Sequence, residues 1–406
     1  MKTLAGNPYL KTSENKLFLD KVNIKTLLDQ FNTPLMIFIE NRIRDNIRTF
    51  NEVFDNTFEN YHGYYSTKAN YLLTINRIIS SEYLGAEIIS LPELNLALKA
   101  GYSPNNIIVG GPYLSDPLID KCLDYSIKEI VIYNLEDIQK VNNRAKIFKK
   151  NQNLCLRLNP MKYESKLGIK MNAENCKSLK NIVDRCNNVK ISTIISHYGS
   201  QMNSLKQYIN NVKVVADGIK MLDSYGINIS NINLGGGFPE ATVMPKHQLK
   251  KIATGIKKSI VQKNINYNNI YFEPGRYIVG DAAVFLANVI KTTKNRWVVI
   301  NVGNNICPKF ARCSLRFYNA SRIERAHKYK TSIAGIIPTD QDVLAKDYFL
   351  TQEIKCDDKI LITNVGAYCL TFSNRFPYRI PKILLVKDNQ VQTIFDQKSD
   401  KDFSIY

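Results

Sequence analysis

Four short stretches of the 406-residue chain carry the residue types that covalent amine chemistry needs. Ser66-Thr67-Lys68-Ala69-Asn70 places a lysine directly after the apolar run Tyr61 to Thr67. A lysine ending a buried strand must shed water from its ammonium, which is costly unless the charge is paired or chemically used. Desolvation lowers a lysine's pKa and leaves an amine able to bond an aldehyde; a salt-bridged structural lysine is the other reading. Ile195-Ser196-His197-Tyr198-Gly199-Ser200-Gln201 holds one of the chain's four histidines beside a glycine and a hydroxyl. His197 can cover a planar ring while Ser200 donates to an anion, or it can be a satisfied core residue. Leu234-Gly235-Gly236-Gly237-Phe238-Pro239 lets backbone amides approach a phosphate, or is an ordinary turn. Phe272-Glu273-Pro274-Gly275-Arg276 joins a carboxylate, a tight turn and a guanidinium suited to phosphate. Pyridoxal phosphate asks for this whole set: an aldehyde for Lys68, a ring face for His197, a phosphate for Ser200, Gly237 and Arg276, and a pyridine nitrogen for Glu273.

Something must hold these stretches at one place. Eight short Ile- and Val-rich runs recur from position 61 onward: 61–67, 86–90, 107–109, 129–133, 154–158, 191–196, 229–234 and 270–272. Between them lie helix-period segments such as Leu205 to Tyr225, with Ile209, Val212, Val215, Ile219 and Leu222 in phase. Eight βα units predict a TIM-type (β/α)8 barrel, an α/β fold whose chemistry collects at the C-terminal ends of its strands. All four stretches end such strands. After Gly275 the rhythm changes, and Ala282 to Ile290, Trp297 to Val302, Ile360 to Thr363 and Lys382 to Val386 read as strands of an all-β domain. Leu35 to Ile39 reads as a further strand before a helix over Asn41 to Phe54. The expected organisation is a barrel over 40–280 and a discontinuous β domain from 1–39 and 281–406.

Composition excludes several classes. With 44% apolar and 22% charged residues the chain can bury a core, which rules out disordered and fibrous proteins. No apolar run approaches the roughly 18 residues of a membrane span, and Met1 to Lys16 is polar with scattered lysines, so a cytoplasmic protein without membrane attachment is expected. The eight cysteines lack CxxC or CxxH spacing, which points to reduced thiols and no metal site. A net charge of +19 is compatible with nucleic acid or with an anionic small molecule; a solvated lysine surface explains most of it, and no nucleic-acid partner is expected.

Taken in chain order, the pieces Tyr65-Ser66-Thr67-Lys68-Ala69-Asn70, Leu156-Arg157-Leu158-Asn159-Pro160, Ser165-Lys166-Leu167-Gly168-Ile169, His197-Tyr198-Gly199-Ser200-Gln201, Gly235-Gly236-Gly237, Glu273-Pro274-Gly275-Arg276 and Gly366-Ala367-Tyr368 resemble the fold-type III pyridoxal-phosphate decarboxylases. That family includes diaminopimelate decarboxylase and eukaryotic-type ornithine decarboxylase. The resemblance implies a barrel plus β domain of the alanine racemase-like arrangement and a homodimer with its sites at the interface. It implies that Lys68 bonds the cofactor aldehyde, His197 stacks on the ring and Glu273 pairs with the pyridine nitrogen. Ser200, Gly237, Gly275 and Arg276 would hold the phosphate, with Gly235 and Gly236 also in the cofactor site and Tyr368 arriving from the partner subunit.

The chain departs from the family where the substrate's far end is read. The usual Gly-x-x-Cys-Glu/Asp segment corresponds to Gly335-Ile336-Ile337-Pro338-Thr339, so proline replaces the cysteine and Thr339 the acid. The usual Asp-x-Gly stands as Asn301-Val302-Gly303. Losing acids weakens binding of a cationic side chain, because a desolvated ammonium then lacks its partner. Residues 291–330 instead hold ten Lys or Arg and one acid, Glu324. Arg157, Lys309, Arg312, Arg316 and Thr339 are the expected substrate contacts, with Arg322 and Arg325 nearby in sequence; a solvated basic loop is the other reading. These changes suit an anionic amino-acid conjugate, such as N-citrylornithine decarboxylated to N-citrylputrescine in rhizoferrin-type siderophore synthesis and iron acquisition. Diaminopimelate or another diamino acid, an amino-acid racemase and a non-catalytic regulator remain the alternatives. Lys68, or one of Cys307, Cys313 and Cys369, is expected to protonate Cα in place of the missing cysteine.

Overall fold

A computed structural model describes residues 1–162 and 165–398. The described chain divides into two compact units: Ile47–Pro239 with Met244–Gly275, and Met1–Asn46 with Glu240–Val243 and residues 276–398.

In the first unit eight parallel strands close into a barrel in chain order. They are Tyr61–Ser66, Gly85–Ile88, Ile107–Gly110, Glu129–Ile132, Gln152–Leu158, Val189–Ser196, Asn231–Asn233 and Asn269–Phe272, the eight runs read from the sequence. Closure comes from the eighth strand pairing with the first, from Ile270 opposite Tyr61 to Phe272 opposite Gly63. Inside, Tyr64, Ile108 and Tyr271 form one apolar group, the two tyrosine rings meeting edge-on at 5.4 Å. Val131, Cys155 and Ile195 form another. Apolar filling of this kind makes the barrel a packed core and leaves its strand ends as the place for polar chemistry.

The outer helices are set by caps and by the face they bury. Leu205–Asp223 starts at a reciprocal capping box between Ser204 and Gln207. Its buried stripe is Tyr208, Asn211, Val212, Val215, Ala216, Gly218 and Leu222. Ile209 and Ile219, expected on that face, are only half-buried. The stripe turns towards Asn211 because its Nδ2 donates to the carbonyls of Ser196 (3.1 Å) and Leu234 (2.8 Å). One side chain thus pins the ends of the sixth and seventh strands, where two of the four chemical stretches begin.

The second unit is built on a nine-stranded sheet. Ala283–Thr292 is its hub, antiparallel to Leu35–Ile39, Trp297–Ile300 and Lys359–Thr363. Leu35–Ile39 also runs parallel to Lys382–Lys387, so chain from both ends shares one sheet. Arg316–Asn319 pairs with Lys359–Thr363, and Tyr329–Ala334 with Trp297–Ile300 and Val343–Leu350. A separate antiparallel sheet is formed by Lys2–Leu4, Asn7–Ser13, Lys16–Leu19 and Val22–Asn23. Among the described residues no helix is long and apolar enough to cross a membrane.

A buried ion pair ties three chain segments of this unit together. Arg42 Nη2 donates to Asp281 Oδ2 at 2.7 Å, Asn46 Nδ2 to Asp281 Oδ1 at 2.8 Å and the Thr242 amide to Oδ2 at 2.9 Å. Both side chains of the pair are almost wholly buried, so removing the acid strands a desolvated guanidinium. Asp281→Ala should therefore cost about 3–5 kcal/mol in denaturant unfolding, with the m-value unchanged. A loss below about 1 kcal/mol, the size of a surface pair, would show that Arg42 finds water when its partner is removed.

Candidate active site

The lysine is held at the first strand's end by the turn that follows it. Thr67–Ala69 forms one turn of 3-10 helix after Tyr61–Ser66. Tyr65 Oη donates to the Asn70 carbonyl and Asn70 Oδ1 accepts from the Leu72 amide, each at 3.1 Å, which fixes the turn. Strand register sets Ser66 beside Glu87 of the second strand. Ser66 Oγ donates to Glu87 Oε2 at 2.7 Å, and Lys68 Nζ donates to the same oxygen at 2.6 Å. Burial pushes the Glu87 carboxyl up, but Lys68 and these hydrogen bonds hold it below the usual range.

The second carboxylate is oriented from the seventh strand. Asn233 Nδ2 donates to Glu273 Oε1 at 2.8 Å, and Asn233 Oδ1 accepts from the Gly235 amide at 2.8 Å. Burial, reinforced by the negative charge of Glu87, pushes the Glu273 carboxyl up to about 7 against the pull of Lys68 and Arg157. His197 Nδ1 accepts from the Gly236 amide at 3.2 Å, so a neutral ring carries its proton on Nε2. Burial, then Arg157 and Lys68, lower the imidazole pKa to about 3. Arg157 Nη1 donates to Tyr133 Oη at 3.0 Å, while its buried Nε has no hydrogen-bond partner.

The glycine triplet is required by packing as much as by any ligand. A Cβ on Gly236 would meet the Glu273 carbonyl at 2.2 Å, and one on Gly237, at φ +89°, would meet the Gly199 carbonyl at 2.2 Å. The Gly235 and Gly236 amides donate to Asn233 and His197, which ties the start of the triplet to the carboxylate and imidazole supports. Gly275 packs its missing Cβ against Ser66 and Ala69, and Ser200 lies exposed on its loop.

The remaining expected residues belong to the second unit. Arg276 Nη1 approaches Glu240 Oε1 at 3.3 Å, its Nη2 donates to the Ala311 carbonyl at 2.7 Å, and its buried Nε has no partner. Its guanidinium lies 4.8 Å from the centroid of the Tyr368 ring of the same chain. Arg316 Nη1 donates to the Ala5 carbonyl at 2.6 Å, and Arg322 Nη1 donates to both oxygens of Asp358. The reading of Arg316 as an open substrate cation is thereby corrected, since a backbone carbonyl already holds it, and Arg322 of the same basic stretch is paired with an acid. Lys309 and Arg312 are exposed, as is Arg325, and Thr339 sits in an exposed turn where its Oγ1 accepts from the Gln341 amide.

Sequence reasoning missed Glu87, Asn233, Tyr133 and Lys162, whose Nζ lies 4.6 Å from the Tyr198 ring. The first had a usable signal, because an acid inside the apolar run 86–90 carries the same desolvation cost that singled out Lys68. Asn233, a polar residue in another such run, had a weaker one.

The family described as pyridoxal-dependent decarboxylase, pyridoxal binding domain, matches residues 40–280. The chain belongs to the pyridoxal-dependent decarboxylases. It is 27% identical to the diaminopimelate decarboxylase of Staphylococcus aureus, over 96% of this chain and 97% of that one. It is 26% identical to the L-glutamyl-[BtrI acyl-carrier protein] decarboxylase of Niallia circulans, over 87% and 88%. The fold is shared with the diaminopimelate decarboxylase from M. jannaschii solved with L-lysine, at TM-score 0.87, 24% identity and coverage of 96% and 95%.

The residues of this decarboxylase fit pyridoxal phosphate. Lys68 supplies an amine at a strand end, Glu273 a buried acid lacking a cation of its own at hydrogen-bond distance, and His197 a neutral ring. Thr67 Oγ1, Ser196 Oγ and Arg157 Nε, all at or just beyond strand ends, are buried polar atoms without a partner, as a cofactor site leaves them.

Two groups make the cofactor-free protein's stability depend on pH in opposite senses. Glu273, raised from 4.5 to about 7, contributes stability that is full below 4.5 and lost as pH rises through 7. His197, lowered from 6.5, contributes stability that is full above 6.5 and lost as pH falls towards 3. Glu273→Gln should remove the first component, so that the urea midpoint no longer declines through the neutral range on its account. A pH profile superimposable on wild type would mean that Glu273 is ionised throughout.

Proposed function

We propose that the chain decarboxylates an amino acid whose distal amine carries an acidic cap, with N-citrylornithine as substrate and N-citrylputrescine and CO2 as products. The observation that carries this reading is that Asn301–Gly303 and Gly335–Thr339 hold no acid, and that of the two acids following them Asp340 is exposed in the turn while Asp342 is already engaged. Asp342 is buried, and its carboxylate accepts from the Asn304 amide at 2.6 Å and the Ile337 amide at 2.8 Å. It thereby binds the Asn301–Gly303 and Gly335–Thr339 segments to each other and is consumed in doing so. Neither segment then offers an acid to a free distal ammonium, while Lys309 and Arg312 offer exposed cations to carboxylates. The Niallia relative, named for an amino acid joined to a carrier protein, also supports a conjugated substrate on this scaffold.

When bound, pyridoxal phosphate supplies an electron sink for the charge left on Cα as CO2 departs. The chain's own groups do the rest. Lys68 Nζ, beside Glu87, is assigned as the amine that bonds the cofactor and later returns a proton to Cα. Glu273, aimed by Asn233, would be the carboxylate that keeps the ring nitrogen protonated, and neutral His197 covers the ring without adding a charge. In the barrel unit the phosphate is assigned to Gly237, Gly275 and Ser200. We take the working form to be a homodimer in the cytoplasm.

A second reading is diaminopimelate decarboxylase, favoured by the names of relatives that align over nearly the whole chain. CO2 release from N-citrylornithine, ornithine, lysine and meso-diaminopimelate, measured in parallel, separates the two. Turnover of the citryl conjugate alone is expected, and Arg312→Ala should raise its KM by roughly tenfold, the size of one lost charge-assisted hydrogen bond. Turnover of meso-diaminopimelate in preference would establish the second reading and overturn the first.

A further inference from the structure

Three of the eight cysteines, Cys307, Cys313 and Cys369, meet in the second unit, and with the Cα proton given to Lys68 above they are left without a role. Cys313 Sγ lies 3.6 Å from Cys369 Sγ, and Cys369 Sγ lies 4.0 Å from Cys307 Sγ. Cys307 and Cys369 are buried, whereas Cys313 is partly exposed. Arg276 Nη1 stands 3.9 Å from Cys313 Sγ and shares its charge with Glu240. Cys313 Sγ is also 3.4 Å from the Ala367 carbonyl, so the pair links the Ala311–Ser314 loop to the segment carrying Tyr368.

We propose that Cys313 and Cys369 form a reversible disulfide when the protein meets a peroxide. The two sulfurs need to close from 3.6 Å to a bond of about 2 Å, a movement within reach of side-chain rotation. The Cys313 thiolate attacks one peroxide oxygen; the O–O bond breaks, hydroxide leaves, and the sulfur becomes a sulfenic acid. Cys369 sulfur then attacks the Cys313 sulfur. The S–S bond forms, the S–O bond breaks, and the Cys369 proton leaves with the departing hydroxyl as water. Two electrons pass from the sulfur pair to the peroxide, and thiol exchange with an external reductant reverses the change.

The order of attack follows from the surroundings. Cys313 is the less buried residue of the two, and the hydrogen bond from Cys369 together with the Arg276 charge draws its pKa below the usual thiol range. Hydrogen bonding to both neighbours, together with burial, keeps Cys369 protonated until the sulfenic acid forms. The inference is independent of substrate identity, since the thiols would pair whichever amino acid is decarboxylated.

Tryptic mapping reads the outcome directly, because Cys313, Cys369 and Cys307 fall in the separate peptides 313–316, 360–375 and 297–309. The full-length protein, loaded with pyridoxal phosphate, would be exposed to hydrogen peroxide, alkylated and digested without reductant. Most of peptide 313–316 should then be joined to 360–375, be released by dithiothreitol, and stay joined in Cys307→Ser. In Cys369→Ser the link should vanish and Cys313 should instead carry added oxygen. Should that variant fail to fold, the wild-type map decides alone. A link from Cys369 to Cys307, or oxidation confined to the exposed Cys356, would overturn the assignment.

Discussion

Glu87 and Glu273 are both buried at the ends of barrel strands, and the charge on Glu87 makes Glu273 harder to ionise. Two interacting desolvated carboxylates are tolerated only where cations compensate them, and here the compensation comes from Lys68 and Arg157. The distribution is unequal. Lys68 sits on Glu87 and keeps it charged, which leaves Glu273 to drift towards its neutral form. A cationic ring nitrogen docked against Glu273 would complete the balance, so the barrel is electrostatically prepared for the cofactor its family binds.

The barrel fixes this balance through register rather than through flexible reach. Ser66 is paired with Glu87 across adjacent strands, so Lys68, two residues further on, meets the same carboxylate from the turn. Asn233 ends the seventh strand and addresses Glu273, while its oxygen fixes the first amide of the glycine triplet. Because the Gly236 amide then holds His197 by Nδ1, one chain of hydrogen bonds sets the acid, the triplet and the imidazole together. The second unit shows a comparable economy, with Asp342 holding two loops and Asp281 holding three segments.

Much of this was legible in the sequence because two signals coincide there. Short strand runs of three to seven residues separated by amphipathic helices specify the barrel, and unusual residues at their ends, Lys68, His197 and Glu273, specify the chemistry. Charge counting failed where partners come from afar. Arg316 and Arg322 read as a cluster lacking acids, yet an Ala5 carbonyl and Asp358 satisfy them from distant parts of the chain. Short strands such as Arg316–Asn319 also escaped notice, since four residues carry little periodicity and their pairing with Lys359–Thr363 is what makes them strands. Glu87 and Asn233 were overlooked for a different reason: attention to motifs passed over single polar residues inside apolar runs.

The central claim is that the charge balance around Glu87 and Glu273 makes Lys68 the amine that takes the cofactor. Borohydride reduction of the protein incubated with pyridoxal phosphate, followed by peptide mapping, tests it most directly. The account predicts a phosphopyridoxyl adduct on Lys68 at about one per chain, absent from Lys68→Ala. Adducts spread over the many surface lysines, or a single adduct elsewhere that survives Lys68→Ala, would contradict it.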